Sequence, residues 1–341
     1  MEPIRIGIVG TGMIAGVIAN AIKQSDHGHL VAVASRRHER AAEFAQEHGI
    51  AEAYGSWQEL VQAKGIDAVY VATPTAGREE ICLAALNAGK HLISEKPFLN
   101  AESVKRIASA AEARGLSFMD ATHFTHHPRT QAVVKTQQAD LGRVNRVRTS
   151  FFFPFMDREN IRFDSSKEPT GAVGDMAWYN MRAIVEFMRP TQPVKTLHGT
   201  IRRDDQTGAV VGGTGMIEFE GGQVSSFDFG YDAGVCQMDL DIIGEQGLIQ
   251  MDDYVLDWKD GFAFNNPEHV AQFRVRQDMA APEDFKPVLV PTPKPQAANM
   301  IDGFCRLVRK PSEGDRLLAV QRALQTQSLL DRFCQITGLT Q

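Results

Sequence analysis

Lys96 stands between Glu95 and Pro97 in the stretch ISEKPF, directly after a short apolar run that reads as a buried strand. A proline fixes its own backbone angle and disfavours helical geometry for the residue before it, so Lys96 is expected to be extended, its ammonium aimed outward from the strand end. A cation held there favours negative charge developing on a substrate oxygen. Further along, GAVGDMAWYNMR opens a helix carrying Asp175 and Tyr179 at i and i+4, hence on one face. Such a pair binds a hydroxyl and exchanges its proton, provided that a cation lowers the phenol from its ordinary value of about 10; Lys96 is the candidate cation. By spacing alone the stronger reading of Asp175 is a first-turn acid favoured by the helix dipole and of Tyr179 a half-buried core aromatic, and Lys96 also reads as an exposed strand-end residue.

A second constellation concerns a cofactor. GIVGTGMIA places Gly10, Gly12 and Ala15 in a G-x-G-x-x-A turn directly after a first strand and opening a helix, so Gly10, Thr11, Gly12, Met13, Ile14 and Ala15 are candidate dinucleotide-binding residues. At the end of the second strand, where an acid would bind the ribose hydroxyl of NAD, the chain has Ser35, Arg36 and Arg37. An arginine there pairs with a 2′-phosphate, so NADP is the expected cofactor and NAD the alternative; Arg36 is also suited to stack on adenine. Ligands of open α/β sheets bind at the carboxyl ends of the strands, which adds Thr73, Pro74, Glu95 and Lys96 to the cofactor-binding set.

These residues need strands and helices in a particular order. The runs at 4–10, 30–35, 68–73, 91–95 and 116–120 alternate with amphipathic segments, as in a doubly wound parallel sheet. After Pro128, strand-like runs follow one another through glycine turns, which predicts a mostly antiparallel sheet, interrupted by a helix at 172–188 and closed by amphipathic helices from about Pro295 to Gly338. The fold class is therefore α/β: an N-terminal Rossmann domain over 1–122, and a C-terminal α+β domain over 123–341 with a large, open, mostly antiparallel sheet. The segment 162–171 reads as loop.

The 341 residues are 43% hydrophobic and 23% charged, an ordinary composition with room for two cores. A net charge of -6 with no long basic run argues against nucleic acid or an anionic membrane as partner and for a small molecule. No apolar stretch reaches the about 18 residues of a membrane span. Cys82, Cys236, Cys305 and Cys334 lie far apart, and the start of the chain shows no leader, so reduced thiols and a cytoplasmic location are expected. His123, His126 and His127 include a helical ligand spacing, but no acid or cysteine pattern completes it, and no metal is expected. Arg162, in the loop before the Asp175 helix, is a candidate for meeting a polar substrate, with a surface role the stronger reading; FFFPF at 151–155 reads as core or interface.

Over essentially its whole length the chain resembles the Gfo/Idh/MocA oxidoreductases, on the strength of GIVGTGMIA, ATPTAGREE (72–80), EKP (95–97) and GAVGDMAWY (171–179). The resemblance implies a tightly held nicotinamide cofactor, and a second domain whose open sheet forms a homodimer or homotetramer. It makes Lys96, Asp175 and Tyr179 the catalytic residues, and it places His123 on the substrate side of the nicotinamide. Tyrosine at 179 is most similar to the dihydrodiol and D-xylose dehydrogenase branch, where the phenol is acid/base beside the lysine. Thr75 and Arg78 stand where the family usually has asparagine and histidine, Ala177 replaces a glycine, and Thr125 lies where related dehydrogenases often have arginine. The expected activity is NADP-dependent hydride transfer to or from a carbohydrate, polyol or related cyclic alcohol or ketone. The alternatives are a glycosidase that oxidises and re-reduces its sugar on a resident cofactor, and a non-catalytic sensor of dinucleotide or sugar.

Overall fold

The computed structural model describes residues 2–259, 264, 266–310 and 312–339. The chain divides into two compact units, one of 1–126 with 294–324 and one of 127–293 with 325–341. Sequence reading put the boundary after residue 122 and gave everything beyond it to the second domain. The units instead assign 123–126 and 294–324 to the first.

The first unit is built on β1 (Ile4–Val9), α1 (Met13–Lys23), β2 (Gly28–Ala34), α2 (His38–His48), β3 (Glu52–Tyr54), α3 (Trp57–Gln62), β4 (Ala68–Val71), α4 (Arg78–Asn87), β5 (His91–Ser94), α5 (Ala101–Glu112) and β6 (Phe118–Asp120). The six strands lie in the order β3-β2-β1-β4-β5-β6, every neighbouring pair parallel. Strand order reverses direction between β1 and β4, the crevice where open α/β sheets take ligands. The β-branched runs are buried on both faces, with Ile6, Ile8, Val33, Val69, Val71 and Ile93 fully inaccessible, which explains their unbroken hydrophobicity. Helix ends follow local chemistry: the Asn100 side chain accepts the Ser103 amide at the start of α5 (2.9 Å), and Gly49 in left-handed geometry closes α2. Met300, Ile301, Phe304 and Cys305 of the later helix Gln296–Arg309 join Ile6, Ile18, Ile22 and Leu30 in one core. Asp302 of that helix accepts the Ser25 hydroxyl (2.6 Å) and pairs with Lys294 (2.8 Å). This packing is what returns 294–324 to the first unit.

The second unit holds β7 (Val144–Phe152), β8 (Val194–Arg203), β9 (Val210–Phe219), β10 (Val224–Gly230), β11 (Leu240–Gly244), β12 (Gly247–Met251), β13 (Gln272–Gln277) and β14 (Lys286–Leu289). Their order is β14-β13-β12-β11-β7-β10-β9-β8, with β7 and β10 parallel and the other neighbours antiparallel. The helical segment 173–188, part α and part π, is buried at every residue except the half-buried Asp175. Asn180 fastens it to β7 through the Thr149 hydroxyl (2.8 Å). Phe333 of the final helix, Glu313–Ile336, packs edge-on against Phe227 and Phe229 of β10. Phe151 of the aromatic run is core, as read from sequence. Among the described residues, no helix is long and apolar enough to cross a membrane.

Candidate active site

In the first unit, β1 ends at a turn that only glycine can make. Gly10 has φ of 120°, and a Cβ there would sit 2.7 Å from the Ala72 carbonyl oxygen. Gly12 caps α1 with no side chain bonded to the first-turn amides, and a Cβ on it would meet nothing within 4 Å. Amides at a helix start left without a side-chain cap, together with the helix dipole, are the arrangement that receives a pyrophosphate. Met13 beside them is 55% exposed, whereas Ala15, on the inner face of α1, is fully buried. The Thr11 hydroxyl reaches Ser35 Oγ at the end of β2 (3.4 Å). There Thr11, Ser35, Arg36, Arg37 and Arg40 line a cavity of about 430 Å³. Arg40 was missed by sequence reading, although it lies one helical turn beyond Arg36 and Arg37, a spacing that would have found it; its guanidinium pairs with Glu43 (2.9 Å). A nicotinamide dinucleotide fits this set, for Thr73 beyond β4 also presents a buried hydroxyl oxygen with no hydrogen-bond partner among the described residues.

Lys96 follows β5 and is joined to Pro97 by a cis peptide bond, a feature the sequence reading did not anticipate. Its amide contacts the Glu95 carboxylate (3.3 Å), which accepts the Tyr70 hydroxyl (2.5 Å). Burial pushes the Glu95 carboxyl above the usual carboxylate range, against the opposing pull of the Lys96 ammonium. Arg78 is 5% exposed and donates to the carbonyls of Thr73, Glu95 and Pro97. His123 Nδ1 accepts the Gln296 amide (2.9 Å), which leaves the proton on Nε2. Burial first, then the Lys96 charge, lowers its pKa to about 3, so the ring is neutral at neutral pH.

The second unit carries Asp175 and Tyr179. Gly171, in left-handed geometry, brings the chain against β9, where a Cβ would lie 2.6 Å from the Val210 carbonyl oxygen. Asp175 Oδ2 receives Arg162 Nε (2.6 Å) and the Tyr231 hydroxyl (3.0 Å). Arg162 is not the solvated surface residue that the sequence favoured. Its side chain is 21% exposed, its guanidinium lies over the Phe155 ring (5.3 Å), and the Asp175 carboxylate raises its pKa. Burial and then Asp175 push the Tyr231 phenol well up, so it stays a donor. Tyr179 is 7% exposed, its ring edge-on to Phe151 (5.4 Å). Tyr231 escaped sequence reading because 56 residues separate it from Asp175.

The three histidines find separate partners. His123 meets Gln296, His126 packs against Gly303, and His127 Nε2 donates to the Asp257 carboxylate (3.2 Å). Asp253, Asp257 and His269 bring ligand-type atoms within 4.8 Å of one another, but Arg129 and His127 already match those carboxylates.

A parallel six-stranded sheet with a glycine turn at its switch point, in one chain with a mostly antiparallel sheet, is the architecture of a two-unit dinucleotide-binding protein. Residues 4–122 match the oxidoreductase family with an NAD-binding Rossmann fold, and residues 131–250 match the GFO/IDH/MocA C-terminal domain. The chain belongs to the GFO/IDH/MocA family and is an NAD(P)-dependent oxidoreductase. It is 26% identical, over 98% of both chains, to scyllo-inositol 2-dehydrogenase (NADP(+)) IolU of Bacillus subtilis (strain 168). It is 29% identical to trans-1,2-dihydrobenzene-1,2-diol dehydrogenase of Bos taurus, over 73% of this chain and 74% of that one. The fold superposes on a tyrosine-to-phenylalanine mutant of the 3-ketoreductase KijD10 of Actinomadura kijaniata, in complex with TDP-benzene and NADP, with a TM-score of 0.83, 23% identity and 98% of both chains covered.

Proposed function

We propose that the protein is an NADP(H)-dependent oxidoreductase that moves a hydride between the nicotinamide and a carbohydrate, polyol or related cyclic alcohol or ketone. The observation that carries this reading is the placement of Lys96 past β5, in the same row of strand ends as the dinucleotide turn past β1 and Thr73 past β4. The cavity between Ser35 and the three arginines supports the 2′-phosphate, since a carboxylate in its place would repel one. Relatives named for NADP and for inositol or dihydrodiol oxidation support the substrate class.

When bound, the nicotinamide supplies the hydride acceptor or donor. In the oxidising direction Tyr179 takes the hydroxyl proton, and an ammonium beside a phenol favours the phenolate that this requires. Lys96 stabilises the negative charge that develops on the substrate oxygen. Asp175, oriented by Arg162 and Tyr231, accepts a neighbouring substrate hydroxyl, and Arg162 meets the polar rim of the same substrate. His123, neutral and Nε2-protonated, lines the nicotinamide pocket. The proposed assembly is a homodimer or homotetramer formed through the open face of the eight-stranded sheet.

Initial rates with NADP and with NAD, each against scyllo-inositol, D-xylose and trans-1,2-dihydrobenzene-1,2-diol, test the reading. NADP-linked appearance of reduced nicotinamide is expected. A preference for NAD overturns the role given to Arg36 and Arg37, and glycoside cleavage with no net change in nicotinamide absorbance selects the resident-cofactor glycosidase.

A further inference from the structure

Arg78 departs from the histidine usual at its position, and its guanidinium does something an imidazole cannot. Nε and Nη2 both donate to the Thr73 carbonyl (2.9 and 2.5 Å), while Nη1 donates to the carbonyls of Glu95 (3.0 Å) and Pro97 (2.5 Å). One planar fork thus ties the loop beyond β4 to the loop beyond β5. An imidazole has at most two N–H groups, directed apart, and an ammonium lacks the planar fork. The two carbonyls on the β5 side belong to the residues immediately before and after Lys96, so the backbone root of that lysine is pinned on both flanks. Arg78 is 5% exposed, and its hydrogen bonds go to main-chain oxygens rather than to a carboxylate, so the tie depends on the shape of the fork more than on ion pairing.

We propose that Arg78 is a positioning residue for the hydride-transfer reaction, acting through Lys96 by fixing where its side chain starts. This rests on the role given to Lys96 above. Catalytic groups lose rate steeply when displaced by fractions of an ångström to an ångström, whereas cofactor affinity is spread over the β1 turn and the Ser35 arginines as well as Thr73, Glu95 and Lys96, so a shifted lysine root costs it far less. The expected signature is a lower kcat with at most a small change in the dinucleotide Kd.

The test is a double-mutant cycle of Arg78→Lys and Lys96→Ala in the full chain, assayed with NADP and the panel alcohol that the unaltered enzyme turns over fastest, with NADP Kd and a thermal melt on each variant. Arg78→Lys alone is expected to lower kcat by about 10- to 100-fold, with Kd for NADP within about threefold, and to cost nearly nothing further once Lys96 is alanine. Arg78→His supplies a second variant should the lysine form fail to fold, with the same coupling expected. An equal fold-loss from Arg78 substitution in both backgrounds assigns Arg78 to general stability and overturns the inference, as does a substitution without effect on kcat. Near-normal turnover of Lys96→Ala alone instead overturns the catalytic reading of Lys96, so the two failures are distinguishable.

Discussion

The strand-end loops of the first unit and the helix-borne site of the second are held by different means. Around Lys96 and the dinucleotide turn, the fixing partners are main-chain groups: glycine geometry at Gly10, uncapped amides after Gly12, and three carbonyls gathered by Arg78. Around Asp175 the partners are side chains from a loop and from the end of β10, Arg162 and Tyr231. Backbone constraints permit few residue types and leave a motif. Side-chain networks can be rebuilt from many residue types and leave no motif.

Substitutions should separate the two modes. Replacing Arg36 and Arg37 together with alanine is expected to raise Kd for NADP by about 10- to 100-fold and Kd for NAD much less, with the melting temperature nearly unchanged; titration with both dinucleotides measures it. Asp175→Asn should act on the fold as well as the substrate. Arg162 loses its counter-charge in a partly buried site, which costs about 1–2 kcal/mol by denaturant unfolding, and KM rises. An Asp175→Asn variant of full stability would erase the contrast between the two regions.

The smallest effect concerns pH. The folded-state pKa of His123, about 3, lies below its unfolded value of 6.5, so the unfolded chain binds the proton first. Its contribution is complete above 6.5 and is lost as pH falls toward about 3. Over the first pH unit below 6.5 the loss is about 1 kcal/mol, and His123→Gln should flatten that part of the acid limb in urea unfolding.

The same distinction explains what could be read from the amino acids. Five strands of the parallel sheet, the cofactor turn and the lysine after β5 were legible because β-branched runs, glycine spacing and proline restrict the backbone locally. The strand β3 was missed, since Glu52–Tyr54 is three residues without a β-branched run. The span of the 172–188 helix was legible, but its π-helical turns were not. Tyr231, the Arg78 fork and the return of Gln296–Arg309 to the first core arise from contacts distant in sequence, which periodicity does not encode. Arg162 was misjudged for the same reason, because an arginine in a loop looks solvated until its carboxylate partner is known.

The central claim is that the Tyr179 phenol exchanges the substrate proton. Replacing Tyr179 by phenylalanine removes one hydroxyl and keeps the edge-on packing against Phe151. The account predicts a kcat at least about 10²-fold lower, with Kd for NADP within about twofold. Turnover close to that of the unaltered enzyme, at saturating alcohol and NADP, would contradict it.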